Sequence, residues 1–231
     1  MGHDLGHTPF GHAGETALSE AMGQPFCHNE QSLRVVDILE NEGAGLNLTY
    51  EVRMGILGHT GPRIPETMEG RIVRWADRIA YVNHDIDDAI RAGILAREDL
   101  PKFVQKTLGV GHSGRINTLV CDMIVTSREA GEIALSAPVE KALNELREFM
   151  FERVYRNPVA KGEEAKAKDM LKRMYEYYYT HPEALPEDFQ PQMSLEGMGR
   201  TVCDYIAGMT DNYAVDKYTQ LFIPMGWQVR G

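Results

Sequence analysis

A long run without proline most constrains the fold of this chain. Residues Glu66–Ala92 contain no proline and are followed directly by Gly93, a pattern typical of one long helix that ends at a glycine. The apolar residues of Glu30–Glu40 also recur at helical spacing and fall roughly on one face. No run of alternating apolar and polar residues is long enough to predict a strand. The sequence therefore predicts an all-α fold.

The other predicted helices are shorter and are separated by glycine- or proline-containing segments. They are Tyr50–Leu57, Glu98–Leu108, Arg115–Ser127, Pro138–Tyr155, Lys161–Thr180, Met193–Ala207 and Thr210–Leu221. Residues Pro182–Pro191 are the most linker-like stretch, but the helices after them are too few to form a domain of their own. We therefore predict a single domain over residues 1–231, with a core of about 1–130 and a C-terminal helical extension of about 131–231.

Charge and composition narrow the possible classes of function. The 24 Lys and Arg residues are outnumbered by 34 Asp and Glu residues, and this net charge of −10 argues against a general nucleic-acid or anionic-membrane surface. A small anionic substrate is still possible where basic residues meet a metal. No apolar run reaches the roughly 18 residues of a membrane helix, and no signal-peptide pattern is visible. Three separated cysteines indicate reduced thiols, so we expect a cytoplasmic protein.

The first chemistry-bearing cluster lies at the start of the chain, where His3, Asp4, His7, His12 and Glu15 fall within one short segment. Imidazole and carboxylate ligands together suit a borderline divalent ion. On a helix, the adjacent His3 and Asp4 diverge by about 100°, so both can lean toward one ion held beside the helix. For an isolated His-Asp pair, a solvated polar loop or a capping aspartate is the better interpretation. The density of the cluster favours a metal or proton-transfer site.

A second cluster lies on the long predicted helix. Asp77, Tyr81 and Asp85 are spaced four residues apart and therefore share one face. Arg78 flanks that face and can meet an anion. The alternative is a solvated face with paired charges at i and i+4. Because apolar residues surround the cluster, we expect the helix to be buried on several sides, where carboxylates need partners.

A third segment, Phe26–Arg34, is rich in polar residues. Asn29 is a candidate N-cap for the following helix. His28, Gln31 and Arg34 are candidate pocket residues. His59 is a weaker candidate, and we favour a helix-terminal histidine there.

Together these segments resemble the HD-domain phosphohydrolases, and within them the dGTPase-like deoxynucleoside triphosphate triphosphohydrolases. The similar segments are HDLGHTPFGHAGE at residues 3–15, FCHNEQSLR at 26–34, ADRIAYVNHDIDDAI at 76–90 and, more weakly, residues 204–213 with GMTDNY. They span most of the chain in the family's order. The resemblance implies an HD-domain helical bundle with additional C-terminal helices, and hydrolysis of a dNTP to a deoxynucleoside and inorganic triphosphate.

The resemblance also implies roles for individual residues. His3, Asp4 and Asp77 are the implied ligands of one divalent metal, which the chemistry leaves open among Mn, Fe, Co, Ni, Zn and Mg. The implied catalytic residues are His12, its partner Glu15 and the pocket residue His7. The implied substrate-binding residues are Arg78 at the triphosphate, Tyr81 at the deoxyribose, Asp85 at the sugar 3′-hydroxyl, and His28. Family members commonly form homo-oligomers, some of them nucleotide-regulated, so we expect the same here.

One departure from the family's pattern limits these expectations. The family's first metal ligand is a histidine several tens of residues before the HD motif, whereas this sequence starts two residues before it. We therefore expect three protein ligands instead of four, weaker metal binding and a partly exposed core. Two alternatives follow: another HD phosphohydrolase acting on nucleoside monophosphates or phosphodiesters, or a metal-poor, catalytically impaired oligomeric member of the family.

Overall fold

The computed structural model describes residues 2–224 and 226, and it describes their side chains except for those of residues 158–160. Eleven α-helices, with short 3₁₀- and π-helical turns, account for the regular structure, and these residues contain no β-strand. The prediction of an all-α fold is confirmed. In the same residues, every helix is too short or too polar to cross a bilayer.

The chain divides into two compact units. The terminal unit comprises Met1–Thr49 and Gly162–Gly231, and the middle unit comprises Tyr50–Lys161. The boundary between Lys161 and Gly162 falls inside a helix, Pro158–Thr180. The single domain predicted from the sequence, with its core and extension, stays a prediction.

The terminal unit contains helices from both ends of the chain. They are α1 (His12–Met22), α2 (His28–Arg34), α8 (Pro158–Thr180), α9 (Gln190–Glu196), α10 (Met198–Ala207) and α11 (Asp211–Phe222). A π-helical turn, Val35–Leu39, continues α2. The sequence predicted one helix over Met193–Ala207, but the structure has two, because Gly197 adopts a φ of +86° between them.

The middle unit contains the long predicted helix. Its helices are α3 (Tyr50–Gly58), α4 (Met68–Arg91), α5 (Lys102–Leu108), α6 (His112–Ala130) and α7 (Ala137–Met150), with α7 continued by the π-helical turn Phe151–Tyr155. The Thr67 side chain accepts a hydrogen bond from the Gly70 amide and so caps α4. Both residues lie inside the predicted range of that helix, which begins two residues later than expected.

Each unit has its own apolar core. In the middle unit, Ile79, Val82 and Ile86 of α4 pack with Leu143 and Leu146 of α7. This spacing leaves Asp77, Tyr81 and Asp85 on another face of α4. In the terminal unit the core is formed mainly by α1, α8 and α10, and its fully buried members include Leu18, Leu171, Met174, Val202 and Ile206.

Candidate active-site residues

His3 and Asp4 lie in one 3₁₀ turn, Gly2–Asp4, at the start of the terminal unit. His3 Nε2 is 2.9 Å from Asp4 Oδ2, and the other Asp4 oxygen is 3.6 Å from His7 Nε2. The Asp4 side chain is half exposed. The sequence predicts that both side chains can lean toward one point beside a helix, and in the observed 3₁₀ turn their polar atoms do lie close together.

Buried Ser32 fixes this turn against α2. Its hydroxyl donates to the His3 carbonyl at 2.6 Å and accepts from the Gly6 amide at 2.9 Å. The backbone approach at Gly6 is close, since a Cβ atom there would lie 2.2 Å from the Ser32 nitrogen. Only glycine fits such a contact without movement of the backbone. These contacts hold the Gly2–Asp4 turn, which we call the HD turn, against α2.

Glu15, in the first turn of α1, holds the start of α2. Its Oε1 accepts hydrogen bonds from the His28 backbone amide at 2.6 Å and from the His28 ring Nδ1 at 2.7 Å. Burial alone would raise the pKa of Glu15, but the hydrogen bonds from His28 outweigh it and lower that pKa. The sequence analysis paired Glu15 with His12, whereas its hydrogen bonds are with His28. Because an ionised carboxylate only accepts hydrogen bonds, the proton in the contact between Glu15 and the His28 ring lies on Nδ1.

Three imidazole rings form one cluster in the terminal unit. His7 stacks on His28 with ring centroids 4.1 Å apart, and His12 lies edge-on to both at 6.2 Å and 6.1 Å. Burial and the charge of neighbouring His28 lower the pKa of His7. His12 is exposed, and its ring makes no hydrogen bond to other described residues. His12 is therefore open to an incoming ligand.

A second polar network begins beside His28 and joins α2 to α10. The fully buried Asp204 carboxylate accepts from Gln31 Nε2 at 2.9 Å, from Arg34 Nε at 2.9 Å and from Arg200 Nε at 3.2 Å. Burial alone would lower the pKa of Arg34, but its contacts with Asp204 raise it overall. The side chains of Gln31 and Arg34, candidate pocket residues in the sequence, are therefore partners of Asp204.

Two further predictions near these residues have clear outcomes. Asn29 does not cap α2, because the helix begins one residue earlier, at His28, with Cys27 in the capping position. His59 directly follows α3, and its ring Nδ1 is 2.7 Å from the Ile56 carbonyl. The interpretation of His59 as a helix-terminal histidine is confirmed.

The polar face of α4 consists of Asp77, Tyr81 and Asp85 and lies in the middle unit. Arg147 Nε of α7 donates to the Tyr81 hydroxyl at 3.0 Å, and the Tyr155 hydroxyl donates to Asp85. Burial, the hydrogen bond and the negative charge of Asp85 raise the pKa of Tyr155. Tyr81 is thus held by Arg147 of α7, and Asp85 is held by Tyr155 of the turn after α7.

Arg78 lies beside this face, with its guanidinium 5.1 Å from the centre of the Trp75 ring. Burial and the like charge of nearby Arg147 lower its pKa. Neither arginine forms a salt bridge with a carboxylate among the described residues. Tyr81, Arg147 and Tyr155, together with Asn144 and Phe151, line a cleft of about 440 Å³ within the middle unit. The cleft combines aromatic surface with the guanidinium of Arg147, and Glu148 and Glu152 also line it.

Comparison with known proteins identifies the family. The chain is 48% identical over 227 residues to a deoxyguanosinetriphosphate triphosphohydrolase-like protein of Caldanaerobacter subterraneus subsp. tengcongensis, covering 98% of this chain and 67% of that protein. A protein of the same name from Clostridium perfringens is 46% identical over 233 residues, covering 97% and 68%. One from Geobacter sulfurreducens is 35% identical over 278 residues, covering 97% and 72%.

This chain belongs to the deoxyguanosinetriphosphate triphosphohydrolase-like family. Residues 133–220 also match the model of the phosphohydrolase-associated domain, which here runs from before α7 into α11. The resemblance to dGTPase-like HD phosphohydrolases is confirmed, and so is the prediction that the chain is a hydrolase.

Within this family assignment, the structure brings some predicted site residues together. His3, Asp4, His7, His12, Glu15 and His28 form one group in the terminal unit. Asp77, Arg78, Tyr81 and Asp85 form another on α4 of the middle unit. The catalytic, substrate-binding and metal-binding roles of these residues stay predictions.

Sequence reasoning missed two residues, Arg147 and Tyr155. Both lie in the predicted helix Pro138–Tyr155, eight residues apart, and helical periodicity places them near one face. Nothing in the sequence showed that this face meets α4, because the contact joins residues that are 66 and 70 positions apart.

The donor chemistry of the HD turn fits a divalent metal. The 2.9 Å separation of His3 Nε2 and Asp4 Oδ2 is close to that of neighbouring ligand atoms at about 2.0–2.2 Å from one ion. Imidazole and carboxylate are the types that Mn, Fe, Co, Ni and Zn accept. The terminal unit can therefore supply two adjacent metal ligands.

Proposed function

We propose that this hydrolase carries out metal-dependent hydrolysis of a deoxynucleoside triphosphate to the deoxynucleoside and inorganic triphosphate. The observation that carries the proposal is the meeting of His12, Glu15 and His28, three residues of two separate family motifs, in one cluster. Such a cluster of imidazoles around a carboxylate is suited to proton transfer. The names of the relatives support a dGTP-like substrate.

The residues proposed to hold the metal are His3, Asp4 and Asp77. The first two are adjacent in the HD turn, and Asp77 is assigned by its motif on α4. A divalent ion supplies Lewis-acid polarisation of the phosphate and lowers the pKa of a water molecule. We leave the identity of the metal open among Mn, Fe, Co, Ni, Zn and Mg.

We assign proton delivery to His12. Its exposed ring has no hydrogen bond to other described residues, so its nitrogens are available to the 5′-oxygen of the leaving deoxynucleoside. Glu15 holds His28 through ring and backbone, and His7 stacks on His28. The negative charge of Glu15 stabilises any positive charge that develops on this imidazole cluster. Glu15 and His28 thus support a proton transfer that His12 performs.

Two arginines are proposed to bind the triphosphate. Arg147 lies close enough to Arg78 that its charge lowers the pKa of Arg78, and neither arginine is paired with a carboxylate in the described chain. Guanidinium groups bind phosphate oxygens through paired, charge-assisted hydrogen bonds. An anionic ligand between them relieves their mutual repulsion. This arrangement adds Arg147 to the residues predicted from the sequence.

The sugar is assigned to Tyr81 and Asp85. Tyr81 offers an aromatic surface to the deoxyribose, and Asp85 accepts a hydrogen bond from the 3′-hydroxyl. The Tyr155 hydroxyl already donates to Asp85 and fixes the carboxylate in place. A 2′,3′-dideoxy substrate leaves this carboxylate one hydrogen bond short, so we expect slower turnover of it.

A product assay tests the proposed reaction. dGTP and dATP are incubated with the protein and Mn²⁺, and inorganic triphosphate and orthophosphate are separated by ion-exchange chromatography. Our proposal predicts triphosphate and deoxynucleoside in equal amounts. Orthophosphate as the product, or turnover only of monophosphates or phosphodiesters, would support the alternative of another HD phosphohydrolase. A protein without metal and without turnover would support the catalytically impaired alternative.

The family resemblance also supports homo-oligomer formation, with possible control by nucleotides, and the separated cysteines support a cytoplasmic location. We retain both as proposals. Sedimentation of the protein with and without dGTP tests the first.

A further inference from the structure

A groove of about 1020 Å³ lies within the terminal unit, between the turn that follows α2 and the segment that leads into α9. One side of its floor is formed by Val35, Ile38 and Leu39 of the π-helical turn. The other side is formed by Phe189 and Leu195. Leu195 is 83% exposed, an unusual state for a leucine beside other apolar residues. The floor therefore offers apolar surface to a binding partner.

The rim of the groove is acidic on both sides. Glu40 and Glu42 lie along one edge, and Glu187 and Asp188 lie along the other. All four are exposed, and none forms a salt bridge or side-chain hydrogen bond with the rest of the described chain. Uncompensated charges of one sign along two edges create a field that attracts a cationic partner and repels an anionic one. A triphosphate substrate is therefore excluded from this groove.

Two further features of the groove are a polar atom unpaired among the described residues in its lining and the backbone conformation of one rim. The Gln192 Oε1 atom lies on its lining, is shielded from water and has no hydrogen-bond partner among the described residues. Buried acceptors of this kind are rare in native proteins. The rim at Asn41 and Glu42 is held in the left-handed conformation, with φ of 56° at both residues. The Leu46 amide anchors this rim to the Val36 carbonyl at 2.7 Å.

We propose that this acidic groove docks an amphipathic, basic helix of a partner protein. An apolar floor between two charged edges matches the helix-in-groove mode, in which apolar residues at i, i+3, i+4 and i+7 fill the floor. Lysine and arginine side chains on the flanks of that helix reach the two acidic edges. The apolar residues along the groove favour a helix with an apolar face over a small cation, which would bury none of them.

A designed peptide tests the proposal on the whole chain. The probe is a fluorescent Leu/Lys peptide with leucines at helical spacing, and its binding is followed by fluorescence anisotropy. We expect saturable binding with one peptide per chain. We expect no binding of a Leu/Glu peptide of the same pattern, nor of a Leu/Lys peptide with scrambled leucine positions. Equal binding of the helical and scrambled Leu/Lys peptides would overturn the proposal, and so would the absence of saturable binding.

Matched variants locate the peptide. The groove variant carries Glu40→Gln, Glu42→Gln, Glu187→Gln and Asp188→Asn. The control variant carries Glu66→Gln, Glu69→Gln, Glu129→Gln and Glu132→Gln, which remove the same charge from exposed positions of the middle unit. We expect the groove variant and Leu195→Ser each to raise the Kd about tenfold or more, and the control variant to raise it less than about twofold.

Equal weakening by the two charge variants would mean that the peptide binds by net charge alone, and would overturn the assignment to the groove. Circular dichroism melting of each variant establishes that it is folded before binding is measured. All changed positions are exposed, so we expect melting close to that of the unchanged chain.

Discussion

At the scale of single residues, Glu15 shows how the fold sets the chemistry of the site. Its carboxylate receives both the backbone amide and the ring Nδ1 of His28, and the side chain is 14% exposed. The sequence identified Glu15 as a site residue from its motif, but it did not show which histidine it would meet. That contact depends on the path of the chain between α1 and α2.

Glu15→Gln tests the stabilising role of this charge. Because the pKa of Glu15 is lowered in the folded protein, its ionised form stabilises the fold above the ordinary pKa of 4.5, and this stabilisation is lost as the pH falls through the lowered pKa. We expect Glu15→Gln to lower the free energy of unfolding at pH 7 by about 1–3 kcal/mol. Urea unfolding from pH 7 down to pH 3 measures the difference between the two proteins.

The difference between the two proteins should shrink as the solution is acidified below pH 4.5. Glu176→Gln is the matched control, since Glu176 is exposed on α8, and it should change stability by less than about 0.5 kcal/mol. A Glu15→Gln effect that is the same at every pH would contradict the charge argument.

Tyr155→Phe tests the support of the proposed sugar site. The change removes the hydroxyl that donates to Asp85 and leaves the aromatic ring. Loss of one hydrogen bond to a charged group costs about 1.5–3 kcal/mol, so we expect kcat/KM for dGTP to fall by about 10- to 100-fold. Initial-rate kinetics with dGTP and 2′,3′-dideoxy-GTP measure this.

The preference for the deoxy over the dideoxy substrate should also narrow in Tyr155→Phe, because Asp85 is no longer fixed. Tyr179→Phe, at a half-exposed position of α8, is the control and should leave both substrates unaffected. If the ratio of kcat/KM for dGTP to that for 2′,3′-dideoxy-GTP is unchanged in Tyr155→Phe, Tyr155 does not contribute to recognition of the sugar.

At the scale of the elements, helical periodicity predicted most of the helices because local spacing determines where a helix forms. α4, α11 and α7 with the π-helical turn that continues it begin and end within two residues of their predicted bounds. The prediction of helix bounds failed where the backbone conformation of a single residue ends a helix. At Gly197 that conformation divides one predicted helix into two. Packing between helices was not predictable, because the partners are distant in sequence.

Gly6→Ala tests the junction between the HD turn and α2. A Cβ atom at Gly6 meets the Ser32 backbone at 2.2 Å, and backbone cannot rotate away as a side chain can. We expect Gly6→Ala to destabilise the protein by about 1–3 kcal/mol. The control is Gly162→Ala in α8, where a Cβ atom meets nothing within 4 Å. That change should stabilise by about 0.5–1 kcal/mol, since alanine is the better helix former.

The melting temperature of each glycine variant is measured by heating the protein while its circular dichroism is recorded. We expect the two changes to alter the melting temperature in opposite directions. If Gly6→Ala left the melting temperature unchanged, the close packing of the HD turn against α2 in the structure would be contradicted.

Leu146→Ala tests the packing of α7 on the middle-unit core. Leu146 is fully buried among the residues of α4 and α7. A leucine-to-alanine change at such a position costs about 2–5 kcal/mol, through lost burial and the cavity left behind. Glu148→Ala, two residues on and exposed, should cost less than about 0.5 kcal/mol. Denaturant unfolding that gave equal losses would place Leu146 outside the core.

At the scale of the whole molecule, the terminal unit unites the two ends of the chain. The hydrogen bonds from Arg34 and Gln31 to Asp204 span 170 and 173 residues, and the Phe10 amide donates to Asp211 across 201. The sequence contained the family motifs that supply these residues, but no local pattern indicates such pairings. The motifs therefore predicted which residues are candidates for the site, and only the structure gave their contacts.

We propose that the histidine cluster of the terminal unit performs a triphosphohydrolase reaction. The most direct test is the rate of inorganic triphosphate release from dGTP with Mn²⁺, measured for the unchanged chain and for His12→Ala. We predict release of triphosphate with an equal amount of deoxyguanosine, and a rate about 10²- to 10⁴-fold lower in His12→Ala. Triphosphate release at the same rate in both proteins, or orthophosphate as the only product, would contradict the account.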